Sequence, residues 1–172
     1  MAKRLALYPA TLDPVHCGHV DIARRAAQVF DEVVVAVYDS PQKRLLFSAS
    51  ERLALAREAF VADRNISVAR YSGLTVQFAS SLGAVALVRG LRVFADFELE
   101  FRTGLANRKL DAAIETVAFI ADERYLCVSS SIVREIAQLG GDVSAMVPPH
   151  VAEALRQRYI DSLPGPDRQR EK

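Results

Sequence analysis

His16 and His19 lie three residues apart around Cys17 and Gly18, in the stretch Tyr8-Pro-Ala-Thr-Leu-Asp-Pro-Val-His-Cys-Gly-His19. An imidazole can donate a hydrogen bond to a phosphoryl oxygen. Gly18 lets the backbone come close to a ligand. The start of a helix offers free amides to an anion. Four further groups share this taste for anions. Lys43 and Arg44 form a basic pair. Thr75 follows Gly73-Leu74. Arg89 and Arg92 stand around Gly90, and a guanidinium can grip phosphate with a bidentate fork. Ser129, Ser130 and Ser131 precede Val133, Arg134 and Glu135. No acid–base dyad stands out among these groups.

Each group also has a plain structural role. The basic pair could be solvated, Thr75 and the serines could be helix caps, and the arginines could be surface residues. His16, Cys17 and His19 carry metal-ligating atoms, but structural zinc takes four ligands and the second half of such a site is absent from the sequence. No metal ligand set is therefore expected from the protein.

The elements that must position these groups follow from periodicity. Leu5-Ala-Leu-Tyr8 is a short apolar run that should end as a strand at Pro9. Val20 to Phe30 has helical spacing. Val33 to Tyr38 is continuous and β-branched, as in a strand covered on both faces. Ser48 and Glu51 form a capping box for a helix through Leu53, Leu55, Ala56 and Phe60. Strands are expected at Ile66–Arg70, Ala84–Val88 and Val117–Ala121, and helices at Thr75–Leu82, Phe94–Leu110 and Ser131–Leu139. Gly140-Gly141 should close the last of these, and Pro148-Pro149 should open a final helix to about Tyr159. Alternating strands and helices predict an α/β fold, a doubly wound five-stranded parallel sheet of Rossmann-like type. Ligands of such sheets bind beyond the carboxyl ends of the strands, where these groups are expected to fall. One domain over residues 1–163 and a polar tail over 164–172 are expected.

Composition excludes some classes. A formal net charge of +1 over 172 residues gives no global field that demands nucleic acid or membrane. Aromatic residues are not interleaved with a basic stripe. No apolar run reaches membrane-spanning length. Two cysteines, Cys17 and Cys127, are too few for a disulfide scaffold. With no secretory leader read before the first strand, a cytoplasmic setting is expected.

The order His-x-Gly-His, Lys, Arg-Gly-Leu-Arg and Ser-Ser-Ser-x-Val-Arg-Glu resembles the HxGH nucleotidyltransferase superfamily. The stretch Arg89-Gly-Leu-Arg-Val-Phe-Ala-Asp-Phe-Glu98 is similar to bacterial phosphopantetheine adenylyltransferases in particular, and the likeness runs from about Lys3 to Leu155. The resemblance implies adenylyl transfer from ATP to 4′-phosphopantetheine in coenzyme A synthesis, with Mg²⁺ as cofactor and a homohexamer as the assembly. It implies that His19 stabilises the transition state, with Lys43 beside it. It gives Thr11, Lys43, Thr75 and Arg89 to phosphopantetheine. It gives ATP to Thr11, Leu12, His19, Gly90, Leu91, Arg92 and Glu100, and to Arg124, Tyr125, Leu126, Cys127, Val128, Ser129 and Ser130. The chain departs from the family pattern at Ala10, often Gly, at Leu12, often aromatic, and at His16, often Thr. The competing readings are a sister HxGH enzyme acting on nicotinate or nicotinamide mononucleotide or on glycerol phosphate, and an ATP-binding module without turnover.

Overall fold

The structure is a computed structural model and describes residues 3–39 and 44–160. In chain order it comprises β1 (Leu5–Ala10), α1 (Cys17–Val29), β2 (Glu32–Tyr38), α2 (Ala49–Ala59), β3 (Ile66–Tyr71), α3 (Thr75–Ser81), β4 (Ala86–Leu91), α4 (Phe94–Leu110), β5 (Glu115–Ile120), a 3-10 turn (Glu123–Tyr125), α5 (Ser130–Gln138) and α6 (Pro149–Ile160). The five strands form one parallel sheet in the order β3-β2-β1-β4-β5. The expected doubly wound α/β sheet is therefore present. Lys43 and the expected tail over 164–172 lie outside the described residues.

Alternation along the strands builds two cores. Ala6 and Tyr8 of β1, Val33, Val35 and Val37 of β2, and Ala86 and Val88 of β4 face one layer, with Ile22 and Ala26 of α1, Val133 of α5 and Val151 and Leu155 of α6. Leu7, Val34, Ala36 and Leu87 face the other layer, with Val76 and Ala79 of α3. The helix α4 contributes no buried residue.

Strand ends differ from expectation for local reasons. β1 runs on through Pro9 to Ala10, pairing with β2 along its whole length. Its pairing with β4 stops at Ala6–Ala86 and Leu7–Leu87. The Pro9 carbonyl accepts from Arg89 of β4. The N–H and C=O of a strand residue point to the same edge, so the bare proline nitrogen also faces the β4 side, where the ladder has already ended. β4 starts later than expected and extends through Arg89, Gly90 and Leu91, because β5 continues to pair with it as far as Leu91–Ile120. The Arg-Gly-Leu segment is thus strand, not the loop after it.

α1 starts at Cys17, earlier than expected, because His16 caps it. The Ser48–Glu51 capping box is present. Leu7 is fully buried in the central strand. Leu7→Ala should lower the unfolding free energy by about 3 kcal/mol, as measured by urea denaturation.

Candidate active site

The carboxyl ends of β1 and β4 diverge, and two cavities open in the gap. The first, of about 340 Å³, is lined by Thr11, Leu12, His16, Gly18, His19, Arg89, Gly90, Arg92, Tyr125 and the three serines 129–131, among others. The second, of about 280 Å³, is lined by Thr75, Tyr38, Tyr71, Thr103 and Asn107. Thr11, Arg89 and Glu100 line both. Divergence of strands at a reversal of strand order is where open α/β sheets bind ligands.

Two helices begin at the first cavity. α1 opens with an unusual capping box made of two imidazoles. The His19 amide donates to His16 Nδ1 at 3.3 Å, and the His16 amide donates to His19 Nδ1 at 3.2 Å. The rings stack with centroids 3.6 Å apart. Because each Nδ1 is an acceptor, these bonds assign the proton of each neutral ring to Nε2. His19 thus has one N–H left to donate in the cavity. Burial, the neighbouring His16 and the guanidinium groups of Arg92 and Arg89 hold the His19 pKa well below its ordinary value. Burial, reinforced by Arg92, lowers that of His16 to about 3. A Cβ at position 18 would stand 3.1 Å from the His16 ring and 3.3 Å from Tyr125 Cβ, so a side chain there would press on the stacked pair.

α5 presents the second helix start. Ser129 is its N-cap and accepts from the Ile132 amide at 3.2 Å. The Ser130 hydroxyl donates to the Pro14 carbonyl at 2.9 Å, tying this helix to the loop after β1. Two helix starts converging on one cavity bring partly unsatisfied amides and positive dipole ends to the same place.

Both arginine forks are turned to carboxylates rather than left open as the sequence suggested. Arg89 meets Glu100 through Nε at 2.6 Å and Nη2 at 2.5 Å, and donates through Nη1 to Pro9 O at 2.8 Å. Arg92 meets Asp96 through Nε at 3.1 Å and donates through Nη1 to Val128 O at 3.0 Å. Asp96 and Glu100 are one helical turn apart on α4, so one face of α4 balances both cations. Burial penalises the Arg89 charge, but the bonds to Glu100 outweigh that and raise its pKa.

The other expected residues divide. Thr75 is the first residue of α3 rather than its cap, and its hydroxyl bonds the Tyr71 hydroxyl at 2.9 Å beside the second cavity. Val128 is buried and contributes its carbonyl to Arg92. Arg124 is bound to Asp122 at the surface, and Leu126 and Cys127 are exposed; none of the three lines a cavity described above. Leu91 lines a separate pocket against Phe97 and Phe101 of α4.

Sequence reasoning missed Tyr8, Asp96, Asp13 and Arg52 as parts of this region. Tyr8 lines the first cavity, with its pKa raised to about 12 by burial. Asp13 is 1% exposed, accepts from the amides of Leu46 at 3.0 Å and Phe47 at 2.9 Å, and pairs with Arg134 at 3.1 Å. Arg52 shares the α2 stripe of Ala56 and Phe60 at four-residue spacing, and that spacing was the available signal for its burial.

The histidine pair gives a pH prediction. His16 is neutral when folded but titrates near its ordinary 6.5 when unfolded, so the unfolded chain binds more protons below that value. Stability should be level above pH 6.5 and fall as pH drops from 6.5 towards 3. His16→Asn, which can still cap, should flatten this fall in denaturation curves taken at pH 7.5 and 5; an unchanged slope would assign the loss elsewhere.

Residues 7–136 match the cytidylyltransferase-like family. A phosphopantetheine adenylyltransferase of Herpetosiphon aurantiacus is 48% identical over 90% of this chain and 94% of its own length. One of Roseiflexus sp. is 50% identical over 90% of this chain and 97% of its own. A solved chain from Vibrio parahaemolyticus, provisionally assigned as a nicotinate-nucleotide adenylyltransferase, has the same fold with a TM-score of 0.65 at 18% identity, over 90% of this chain and 99% of its own. The chain belongs to the cytidylyltransferase-like family and, within it, to the phosphopantetheine adenylyltransferases.

Proposed function

We propose that this protein transfers the adenylyl group of ATP to 4′-phosphopantetheine, giving 3′-dephospho-coenzyme A and pyrophosphate. The observation that carries this reading is the pair of adjoining cavities that meet at Thr11, Arg89 and Glu100. Two phosphate-bearing molecules can lie one in each and touch at the shared wall. The triphosphate belongs to the cavity with the two helix starts. The acceptor belongs to the cavity of Thr75, with its alcohol and amide side chains.

The acceptor phosphate has its second pKa near ~6 and is largely dianionic at neutral pH. It can attack the α-phosphorus without a general base. The new bond joins an acceptor oxygen to that phosphorus, and the bond to the β-phosphate oxygen breaks to release pyrophosphate. The protein's task is then positioning and stabilisation of charge. His19 donates through its Nε2–H to the α-phosphoryl oxygens. Arg92, Gly90 and the serines at 129 and 130 hold the departing phosphates. Thr11 touches both substrates, and Arg89 and Thr75 hold the acceptor. Lys43 lies outside the described residues; as a cation after β2 it is assigned to the incoming phosphate.

Mg²⁺ neutralises phosphate charge when bound. Among the described residues no group of three His, Cys, Asp or Glu side chains is arranged for a metal. Asp96 and Glu100 commit their oxygens to guanidinium groups. That donor set suits a cation held by phosphate oxygens and water.

Exposed Phe94, Phe97, Leu99, Phe101 and Leu105 give α4 an apolar surface that an assembly would cover, and we assign it to contacts within a homohexamer. No described helix is long and apolar enough to cross a membrane, and both cysteines are unpaired, which accords with work in the cytoplasm.

Three experiments test these assignments. Pyrophosphate release should be fastest with ATP and phosphopantetheine; release only with nicotinate mononucleotide, or with glycerol 3-phosphate and CTP, would overturn the substrate assignment. His19→Ala should cut turnover about 100-fold, as for loss of an oxyanion donor, while ATP binding measured by calorimetry persists. Sedimentation equilibrium should give six times the 18.9 kDa chain, and Phe97→Glu should yield smaller species.

A further inference from the structure

Arg52 has no surface at all, yet it carries a charge and, among the described residues, makes no bond to a carboxylate. Its guanidinium instead donates to four carbonyls. Nη1 reaches Thr11 O at 2.6 Å and Tyr38 O at 2.8 Å, Nη2 reaches Asp39 O at 3.0 Å, and Nε reaches Phe47 O at 3.3 Å. One side chain of α2 therefore ties together the exit of β1, the exit of β2 and the entry to its own helix. Burial lowers the Arg52 pKa, and the nearby carboxylates of Asp13 and Asp39 oppose that shift. Filling this volume is something an apolar side chain would do at lower cost, because a buried cation must be desolvated.

What the cation adds is a fixed position for Thr11. This residue lines both cavities and sits at their shared wall. The backbone that follows it is in a conformation that side chains rarely adopt, with Leu12 at φ +52°. Such a conformation persists only when its surroundings dictate it. Arg52 holds it on one side. On the other, the buried Asp13 carboxylate is held by two amides and Arg134, and Ser130 holds the Pro14 carbonyl.

We propose that Arg52 is a positioning residue for the reaction, its buried guanidinium holding the Thr11 carbonyl against the end of β2 and so setting the wall at which the two substrates meet. This rests on the adenylyl transfer proposed above. The residue touches neither cavity and acts through the backbone of Thr11.

The test uses the full chain as wild type, Arg52→Lys and Arg52→Met. For each variant, kcat and KM with ATP and phosphopantetheine, ATP affinity by calorimetry, thermal unfolding and hydrogen exchange over residues 9–17 are measured. The Met variant should lose about 100-fold in kcat, the scale expected for a misplaced reactant. The Lys variant should recover part of that loss, and ATP affinity should stay within about threefold of wild type. Exchange over residues 9–17 should quicken about tenfold in the Lys variant while exchange in β3 is unchanged. If the Met variant does not fold, the Lys variant decides. Wild-type kcat and exchange in the Lys variant overturn the proposal. So does a loss of kcat and ATP affinity together in proportion to the folded fraction, and so does failure of both variants to fold, since each makes Arg52 a matter of stability alone. A wild-type protein inactive on ATP and phosphopantetheine refutes the functional reading instead, and the exchange measurement still judges Arg52.

Discussion

The parting of β1 from β4 is the constraint on which the rest depends. Their ladder ends after Leu7–Leu87, and Pro9 then offers no donor to resume it. Arg89 fills the opening, reaching from β4 to the Pro9 carbonyl while Glu100 balances its charge. Strands that stayed zipped to their ends would leave no room between the loops that follow them. Because they separate, the start of α1 and the start of α5 can face a common space, and α3 can border a second one.

Among the described residues that line this space, charge is arranged with little net excess. The two imidazoles are neutral, fixed in one tautomer by each other's amides, and the two guanidinium groups are paired with carboxylates of α4. Beside the cations assigned to the two phosphates, the described residues thus offer an anion oriented dipoles, the helix starts and fixed N–H groups. Oriented dipoles held by the fold need no rearrangement as charge moves from one oxygen to another, which suits a reaction between two phosphates.

Much of this was legible in the sequence. The continuous β-branched run of β2, the capping box at Ser48 and the whole of α4 follow from local pattern. The features that mark the site were legible as residue types: imidazoles around a glycine, arginines around a glycine, a run of serines. The reach of β4 through Leu91 was not, because it depends on β5 pairing from elsewhere in the chain. Nor was the passage of β1 through Pro9, since a proline inside a central strand is tolerated only where the partner has left. The turning of Arg89 and Arg92 to Glu100 and Asp96 depends on how α4 packs beside β4. Arg52 is the sharpest case. Its spacing from Ala56 and Phe60 placed it on the buried stripe, but its charge argued for the surface, and only the four carbonyls that converge on it explain the outcome.

The clearance at Gly18 has a wider consequence. That residue lies between an imidazole two positions before it and the side chain of Tyr125, which the chain reaches only after four further strands. The contact at 125 is to its Cβ, so the path of the chain there borders one narrow seam with position 18. A methyl group gained at 18 must therefore be met by a retreat of a few tenths of an ångström in the His16 ring and in the chain that carries Tyr125 Cβ, so the fit of the stacked rings is set in part from the far end of the fold.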